Sequence, residues 1–584
     1  MRMTNKIMRN NSAYNINQNK ILQDKLTNQM TTQSKIVRPS DDPVVAIRAL
    51  RLRSNVTAVT QYNDRNAKDA DQWLALTADA MDTVDQVLTD LYEKTTTAPN
   101  KNLTSSELRI LMSQMKQLTS KFYSCANVDY AGRFVFSGYR TDLPVTYTEE
   151  DEKDMKEHPF SFNINESFDF HDISRISYTD YGTVSDMQNN IANTTVESYE
   201  QSVENSTMYR FRISYNNLDS LTDKDMEGKP QKLTITLPEY KDTSTPPKVY
   251  NDVKVEITAA AAVPGADGGI ATKVEVVSAV DPTTGEQLPN ATNALPPTLT
   301  GPQVKEFADQ EQAYKATADG LDGIAYIPSS GELVFSKEFY DTNFNEAIFN
   351  RSETGFQINY NKSSWKNGDI NPVHYFKCTE TKNMAAPGEA PELRKTAYNT
   401  QREEGRDQDI YYDVGFNQQI QVNTRADEIF THNVQRDMDD FDYYLKQLED
   451  IETLQSDLEK KLQACEEGTA QYKDLELRLE GAKKAGAYIR DNIHTRFENQ
   501  ITNYQQYMDD SRVAMTDSAT RRSRLELIST RLTNQKATFK ELQQDNEGID
   551  ITEVAVELTA SELTYNAALM ATGKIMQTNL MNYI

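Results

Sequence analysis

Two rhythms of apolar residues divide this chain. Near the N-terminus Ile7, Tyr14 and Ile21 lie seven apart, and Leu22, Leu26 and Met30 continue at four-residue steps. Ala70, Trp73, Leu74, Thr77, Met81, Val84, Leu88 and Leu91 keep a three-and-four spacing. The same spacing returns in Phe497, Ile501, Tyr504, Met508 and Met515, and in Leu525, Ile528, Leu532, Phe539 and Leu542. It ends in Val554, Leu558, Tyr565, Leu569, Met576, Leu580 and Tyr583. A period of about 3.5 residues puts each set on one face of a helix, so both ends are predicted to be long helices with coiled-coil packing. Between about 138 and 410 the rhythm changes to short alternating runs: "MYRFRISY", "KLTITLPEY", "VKVEIT", "KVEVVS", "ELVFS" and "FQINY". Alternation with turn residues between the runs predicts strands, arranged as a sandwich or barrel.

Breakers draw the same boundaries. No glycine precedes Gly132, and the only prolines before it are Pro39, Pro43 and Pro99. After Cys465 no proline occurs. The predicted fold class is therefore mainly α terminal regions with a β-rich middle insert, a multidomain α+β chain.

Each outer helix is set off by a break. In "RPSDDPVV" (38–45) Asp42 is a natural N-cap with Pro43 at the first helical position, Asp41 adds charge near the positive helix end, and Pro39 disfavours helix at Arg38. One helix is expected to end near Val37 and the next to start at Pro43. Pro39, Asp41, Asp42 and Pro43 together read as an interdomain hinge. "DNEGID" (545–550) marks the matching break near the C-terminus. A further restart is expected at Thr104, where Glu107 completes a capping box. The inner stripes read as ordinary bundle core. The two outer helices are marginal as an isolated pair, because short helices without neighbours barely outweigh the entropy of ordering them. They are expected to order fully when lateral neighbours arrive.

Composition narrows the partners. The 584 residues carry a formal net charge of −26, from 62 Lys+Arg against 88 Asp+Glu. Such a surface repels nucleic acid and anionic membranes, so neither is an expected partner. No stretch approaches the roughly 18 apolar residues of a membrane span, and membrane insertion is not expected. "MRMTNKIMRNNSAYNI" has no apolar segment of signal-peptide type, so no cleaved signal is expected. The three cysteines, Cys125, Cys378 and Cys465, are far apart and odd in number, which disfavours a disulfide framework.

Candidate chemistry is sparse. The five histidines are scattered and HExxH is missing. Asp439, Asp440 and Asp442 in "MDDFDYY" read as acids near the positive end of a helix. "PGADGG" and "DGLDGI" lack the calcium-loop pattern and read as turns. "RTDLPVTYTEEDEKDMKEHPF" reads as a solvated linker, and Trp73 and Trp365 as packing residues. No catalytic residue, metal ligand or cofactor is expected, and the chain is not read as an enzyme.

Four segments carry a resemblance: "PSDDPVVAIRALRLRS", "AGRFVFSGYR", "QQIQVNTRADEIF" (418–430) and "ELTYNAALMATGKIMQTNLMNYI". In this order, over about 1–140 and 410–584, the chain resembles the bacterial flagellin superfamily, and within it the hook–filament junction branch. It departs from that pattern at Gln33, where many members have glycine. The resemblance implies three layers: 1–38 with 550–584 as an inner coiled-coil core, 39–137 with 415–549 as a helical middle layer, and 138–414 as a β-rich surface-exposed insert. It implies export through the flagellar type III apparatus, a cytoplasmic export chaperone on the C-terminal region, and an extracellular homo-oligomeric ring. That ring would join the hook-side junction protein (hook-associated protein 1) to flagellin.

On this reading the inner-layer contacts are Ile7, Tyr14, Ile21, Leu26, Leu558, Tyr565, Leu569, Met576 and Leu580. The alternatives are a filament-forming flagellin, an enzyme or glycan-binding module in the insert displayed on the appendage, and a cytosolic coiled-coil scaffold.

Overall fold

A computed structural model of the chain describes residues 5–36, 38–98, 104–185, 199–237, 255–264, 270–277, 303–343, 355–385, 391–399 and 408–577. The chain forms two compact units: Met1–Leu74 with Tyr411–Val422 and Ala519–Ile584, and Ala75–Ile410 with Asn423–Ser518.

The first unit contains helix α1 (Asn5–Thr32), α2 (Pro43–Gln61), a π-helical turn over Tyr62–Ala67, the start of α3 (Lys68–Thr97), a hairpin, the end of α8 (Ala470–Glu547) and α9 (Ile551–Gln577). The hairpin is β15 (Tyr411–Gly415) with β16 (Gln418–Gln421). α1 and α9 pack on each other. α1 ends at Thr32, earlier than expected, and Val37 itself lies outside the described residues. The stop is made by Gln33, whose φ of 52° is left-handed and cannot continue the helix.

In the second unit the stripe on α3 from Thr77 to Leu91 is buried. α4 (Ser105–Ser124) opens on the expected capping box: Thr104 Oγ1 accepts from the Glu107 amide, and the Glu107 carboxylate accepts from the Thr104 amide. Strands β1 (Asp129–Tyr130) and β2 (Arg133–Phe134) form the strand-turn element of "YAGRFVFSGYR". The following segment is not a solvated linker. Val145 and Tyr147 are buried, and Thr148 caps a short helix, α5 (Glu149–Glu157). Apolar side chains at alternate positions anchor a stretch whose charges lie mostly beyond them.

The insert contributes β3 (Phe160–Asp169), β4 (Ser174–Asp180), β5 (Glu204–Arg212), β6 (Leu233–Leu237), β7 (Val255–Pro264), β8 (Ile270–Val277), β9 (Gln303–Glu306), β10 (Gly323–Ile327), β11 (Glu332–Ser336), β12 (Gly355–Lys362), β13 (Lys377–Asn383) and β14 (Leu393–Tyr398). They form one twelve-stranded ladder in the order β14-β13-β3-β12-β6-β7-β8-β9-β10-β11-β5-β4. Among the described residues only β9–β10 is parallel. Of the expected sandwich or barrel, the barrel is not formed: among the described residues β4 and β14 each pair on one side only. Alternation in single strands reveals a half-buried face but not whether the last strand returns to the first.

Helix α6 (Gln310–Ala318) packs Ala313 and Tyr314 onto Ile176, Met208, Ala325, Ile327 and Val334 of the sheet. Two helices complete the unit: α7 (Asn433–Ala464) and the first part of α8, where Phe441 stacks on Phe497 at 4.2 Å. Phe430 meets Phe122 at 5.3 Å and Phe136 at 5.2 Å, and the Ala426 amide donates to the Phe136 carbonyl. Two of the motifs quoted above, nearly 300 residues apart in sequence, thus share one aromatic core.

Candidate assembly interface

The terminal helix pair presents apolar side chains outward. α9 has only four charged residues in its 27 (Glu553, Glu557, Glu562 and Lys574). A helix that is apolar on most sides belongs in an interior. Yet Ile551, Val556, Leu563, Leu569 and Met570 are exposed, Leu563 at 73%. On α1, Ile7, Tyr14, Ile21, Leu22 and Met30 are exposed, whereas Leu26 is buried at 3%. Leu558 and Tyr565 are half-buried. Met576 is placed within α9, and Leu580 lies outside the described residues. The residues singled out from sequence therefore divide: Leu26 is buried within the chain, while Ile7, Tyr14, Ile21 and Leu569 are exposed. Sequence reasoning missed Val556, Leu563 and Met570. They lie off the main stripe, and the signal was the low charge of the whole segment.

The two breaks meet. The Lys35 amide donates to the Glu547 carbonyl at 2.7 Å, and Ser34 bridges to Gly548. The Glu547 carboxylate accepts from Arg53 Nε at 2.9 Å, and Asn546 Nδ2 donates to the Val45 carbonyl at 3.1 Å. Chain direction at the joint is set by caps. Asp42 Oδ1 accepts from the amides of Val44 (3.0 Å) and Val45 (3.1 Å), with Pro43 at the first helical position. Asp41 Oδ2 accepts from the Arg38 amide at 2.9 Å, and the Asp41 amide donates back to the Arg38 carbonyl, closing the turn that holds Pro39. On the other segment Asp550 Oδ1 accepts from Thr552 and Glu553 amides, which hold its carboxyl below the usual range. Gly548 is required by close approach: a Cβ there would lie 2.5 Å from the Gln544 carbonyl oxygen.

A buried ion cluster organises the second unit. Arg210 forks onto Asp440, with both N–O distances 2.7 Å, and reaches Glu332 at 3.1 Å. Arg212 binds Asp437 at 2.8 Å and Asp440 at 3.2 Å, and Arg496 also pairs with Asp440. Tyr507 donates to Asp437 and Tyr314 to Glu332. Three guanidiniums thus face three carboxylates. Burial alone would push the Asp440 carboxyl up, but the guanidiniums of Arg210, Arg212 and Arg496 outweigh it and hold it well below the usual range.

The "MDDFDYY" acids were expected to serve a helix end, and Asp440 does not. It lies two turns into α7, beyond the reach of the terminal partial charge, and pairs with strand β5 instead. The legible signal was in "MYRFRISY": Arg210 and Arg212, two apart on a strand, share one face. Asp439 accepts from Asn216 Nδ2 at 2.9 Å, with its carboxyl raised by burial, and Asp442 pairs with Lys116. Trp73 and Trp365 are buried, as packing residues should be. Among the described residues no helix is long and apolar enough to cross a membrane.

Residues 3–141 match the family model described as the bacterial flagellin N-terminal helical region. Flagellar hook-associated protein 3 of Escherichia coli (strain K12) is 29% identical over 123 residues, 21% of this chain and 38% of that protein. Flagellar hook-associated protein 3 of Salmonella typhimurium is 27% identical over 143 residues, 24% of this chain and 45% of that protein. The chain thus spans less than half the length of these curated relatives in the matched stretch. A crystal structure of Xanthomonas campestris FlgL aligns with TM-score 0.24 and 9% identity, covering 84% of this chain and 98% of that one.

Proposed function

We propose that this chain is a structural subunit of the bacterial flagellum, which polymerises as a ring at the hook–filament junction and links the hook-side junction protein to flagellin. The observation that carries this reading is the set of large apolar side chains that α1 and α9 leave exposed. A nearly uncharged helix left half in solvent has a covering partner in its working state. The match of residues 3–141 to a flagellin helical region, and the relatives named hook-associated protein 3, support the setting.

On this reading 1–38 with 550–584 form the inner core, 39–137 with 415–549 the middle layer, and 138–414 the outer insert. The hinge of Pro39, Asp41, Asp42 and Pro43 sets the orientation of inner against middle layer. The role is structural, with no catalytic step. The chain leaves the cell through the flagellar export apparatus without a cleaved signal, held beforehand by a chaperone on its C-terminal region.

Immunogold electron microscopy on intact cells, with antibody raised against residues 140–410, tests the proposal. A single gold cluster at the hook–filament boundary is expected. Label along the whole filament would make the chain a filament-forming flagellin. Label confined to the cytoplasm would overturn both.

A further inference from the structure

Among the described residues, Phe416 is the most exposed large apolar side chain, at 86%. It sits at the tip of the β15–β16 hairpin, beside Asn417 at a left-handed φ of 54°. The hairpin is not loose. Val414, Ile420 and Val422 are buried, the Tyr412 hydroxyl donates to Asp69, and Asn66 Nδ2 donates to the Asp413 carbonyl at 2.8 Å. A rigid mount thus carries an aromatic ring into solvent.

A matching surface lies on the same unit. Val44, Ile47 and Leu50, at three-residue steps on α2, are each more than half exposed. Arg48 and Arg51 flank them, and α2 contains no acidic residue. The hairpin carries one acid, Asp413, and no base. Past the Asp41–Asp42 cap the stripe is apolar with basic flanks, whereas the hairpin's own charge is Asp413, which accepts from Gln419 Nε2 at 2.9 Å, with Arg531 on its far strand at Gln418. They cannot meet within one molecule. The hairpin is tied to Asn66, and Leu50 lies about 24 Å back along the helical path at ~1.5 Å per residue. The three residues from Asp413 to Phe416 reach at most about 10 Å.

We propose that the Phe416 tip seats on the Val44–Ile47–Leu50 stripe of a second copy of this chain, with Asp413 facing Arg48 and Arg51. Two different patches of one chain then pair head to tail, a contact that closes into a ring or continues as a helix. The contact rests on the assembly role proposed above, and it uses a surface outside the terminal helix pair.

The test uses the full-length chain with Cys125, Cys378 and Cys465 changed to Ser. F416C and I47C are introduced into separate molecules, mixed where the parent self-associates, and oxidised with copper–phenanthroline. A covalent dimer is expected in the mixture and not in either variant alone. Phe416→Asp should raise the concentration for half-assembly about tenfold or more, as loss of a central aromatic anchor does. Its thermal unfolding should stay unchanged, because the side chain is exposed. Asp413→Lys should weaken assembly in the same way and recover when combined with Arg48→Glu and Arg51→Glu.

No cross-link in the mixture, with the parent assembled and Phe416→Asp unshifted, would overturn this contact and leave the assembly role standing. A parent that fails to self-associate at any concentration would overturn both.

Discussion

The Lys35 amide donates to the Glu547 carbonyl at 2.7 Å, joining the turn after the first helix to the turn before the last. Beside it, Gly548 passes so close to the Gln544 carbonyl that a methyl group has no room. Gly548→Ala should therefore open the joint and cost about 1–3 kcal/mol, the usual cost of overpacking. Gln33→Gly should act oppositely, since glycine holds φ 52° without the Cβ clash, with a net gain of up to about 1 kcal/mol after the larger entropy of an unfolded glycine. Hydrogen exchange at the Lys35 amide reads both: faster in the first variant and slower in the second.

Replacing Pro39 and Pro43 together by Ala leaves the Asp42 cap but removes the two residues that restrict the chain between α1 and α2. Junction assembly should fall with little loss of secretion. Equal secretion with normal filament growth would remove the hinge from the mechanism.

Leu569→Asp combined with Met576→Asp places two charges on α9, on the surface that the proposed assembly would bury. Incorporation into the appendage should be lost while the second unit stays folded, judged by an unchanged near-UV circular dichroism signal. Normal incorporation would refute the inner-layer role of these positions.

Asp440→Asn leaves Arg210, Arg212 and Arg496 short of a carboxylate in a buried site. Loss of one partner of a buried pair costs about 3–5 kcal/mol, and urea unfolding should show it. Replacing Arg210 and Asp440 together by apolar residues of similar volume should recover part of the loss.

Glu166 titrates near neutrality. Burial pushes its carboxyl up to about 7, despite hydrogen bonds from Tyr360 and Ser214. A carboxyl raised above its unfolded value of about 4.3 binds more protons when folded, so its contribution to stability declines as pH climbs from about 4.3 to about 7. Glu166→Gln should remove that decline. The difference between variant and parent stability should widen across this window and level off above it. A constant difference would mean that Glu166 is ionised throughout. His374 and His432, lowered by burial to about 4 and about 3, lose their contribution as pH falls below about 6.5, an opposite trend in the same window that is common to parent and variant and drops out of their difference.

Local features were the most legible. The Asp42 cap and the Thr104–Glu107 box depend on residues within one turn, and both form as read. The end of α1 was placed too late. Pro39 was the visible breaker, whereas the helix stops at Gln33, a residue type that usually takes left-handed backbone only at a cost. Six of the insert's twelve strands were read from alternating runs, but not the other six nor their order, because strand pairing joins segments that carry no mark of their partners.

The sequence by itself determined the helical ends, the β-rich middle and the capped helix starts, since periodicity and capping are properties of neighbouring residues. It also implied that the two outer helices are marginal as an isolated pair. Tertiary structure alone decided that the two breaks are one joint, that Arg210 and Asp440 neutralise each other, and that Leu26 is covered while Ile21 is not. A helical stripe shows which side chains share a face, and only the packing of another element against that face settles which of them lose water.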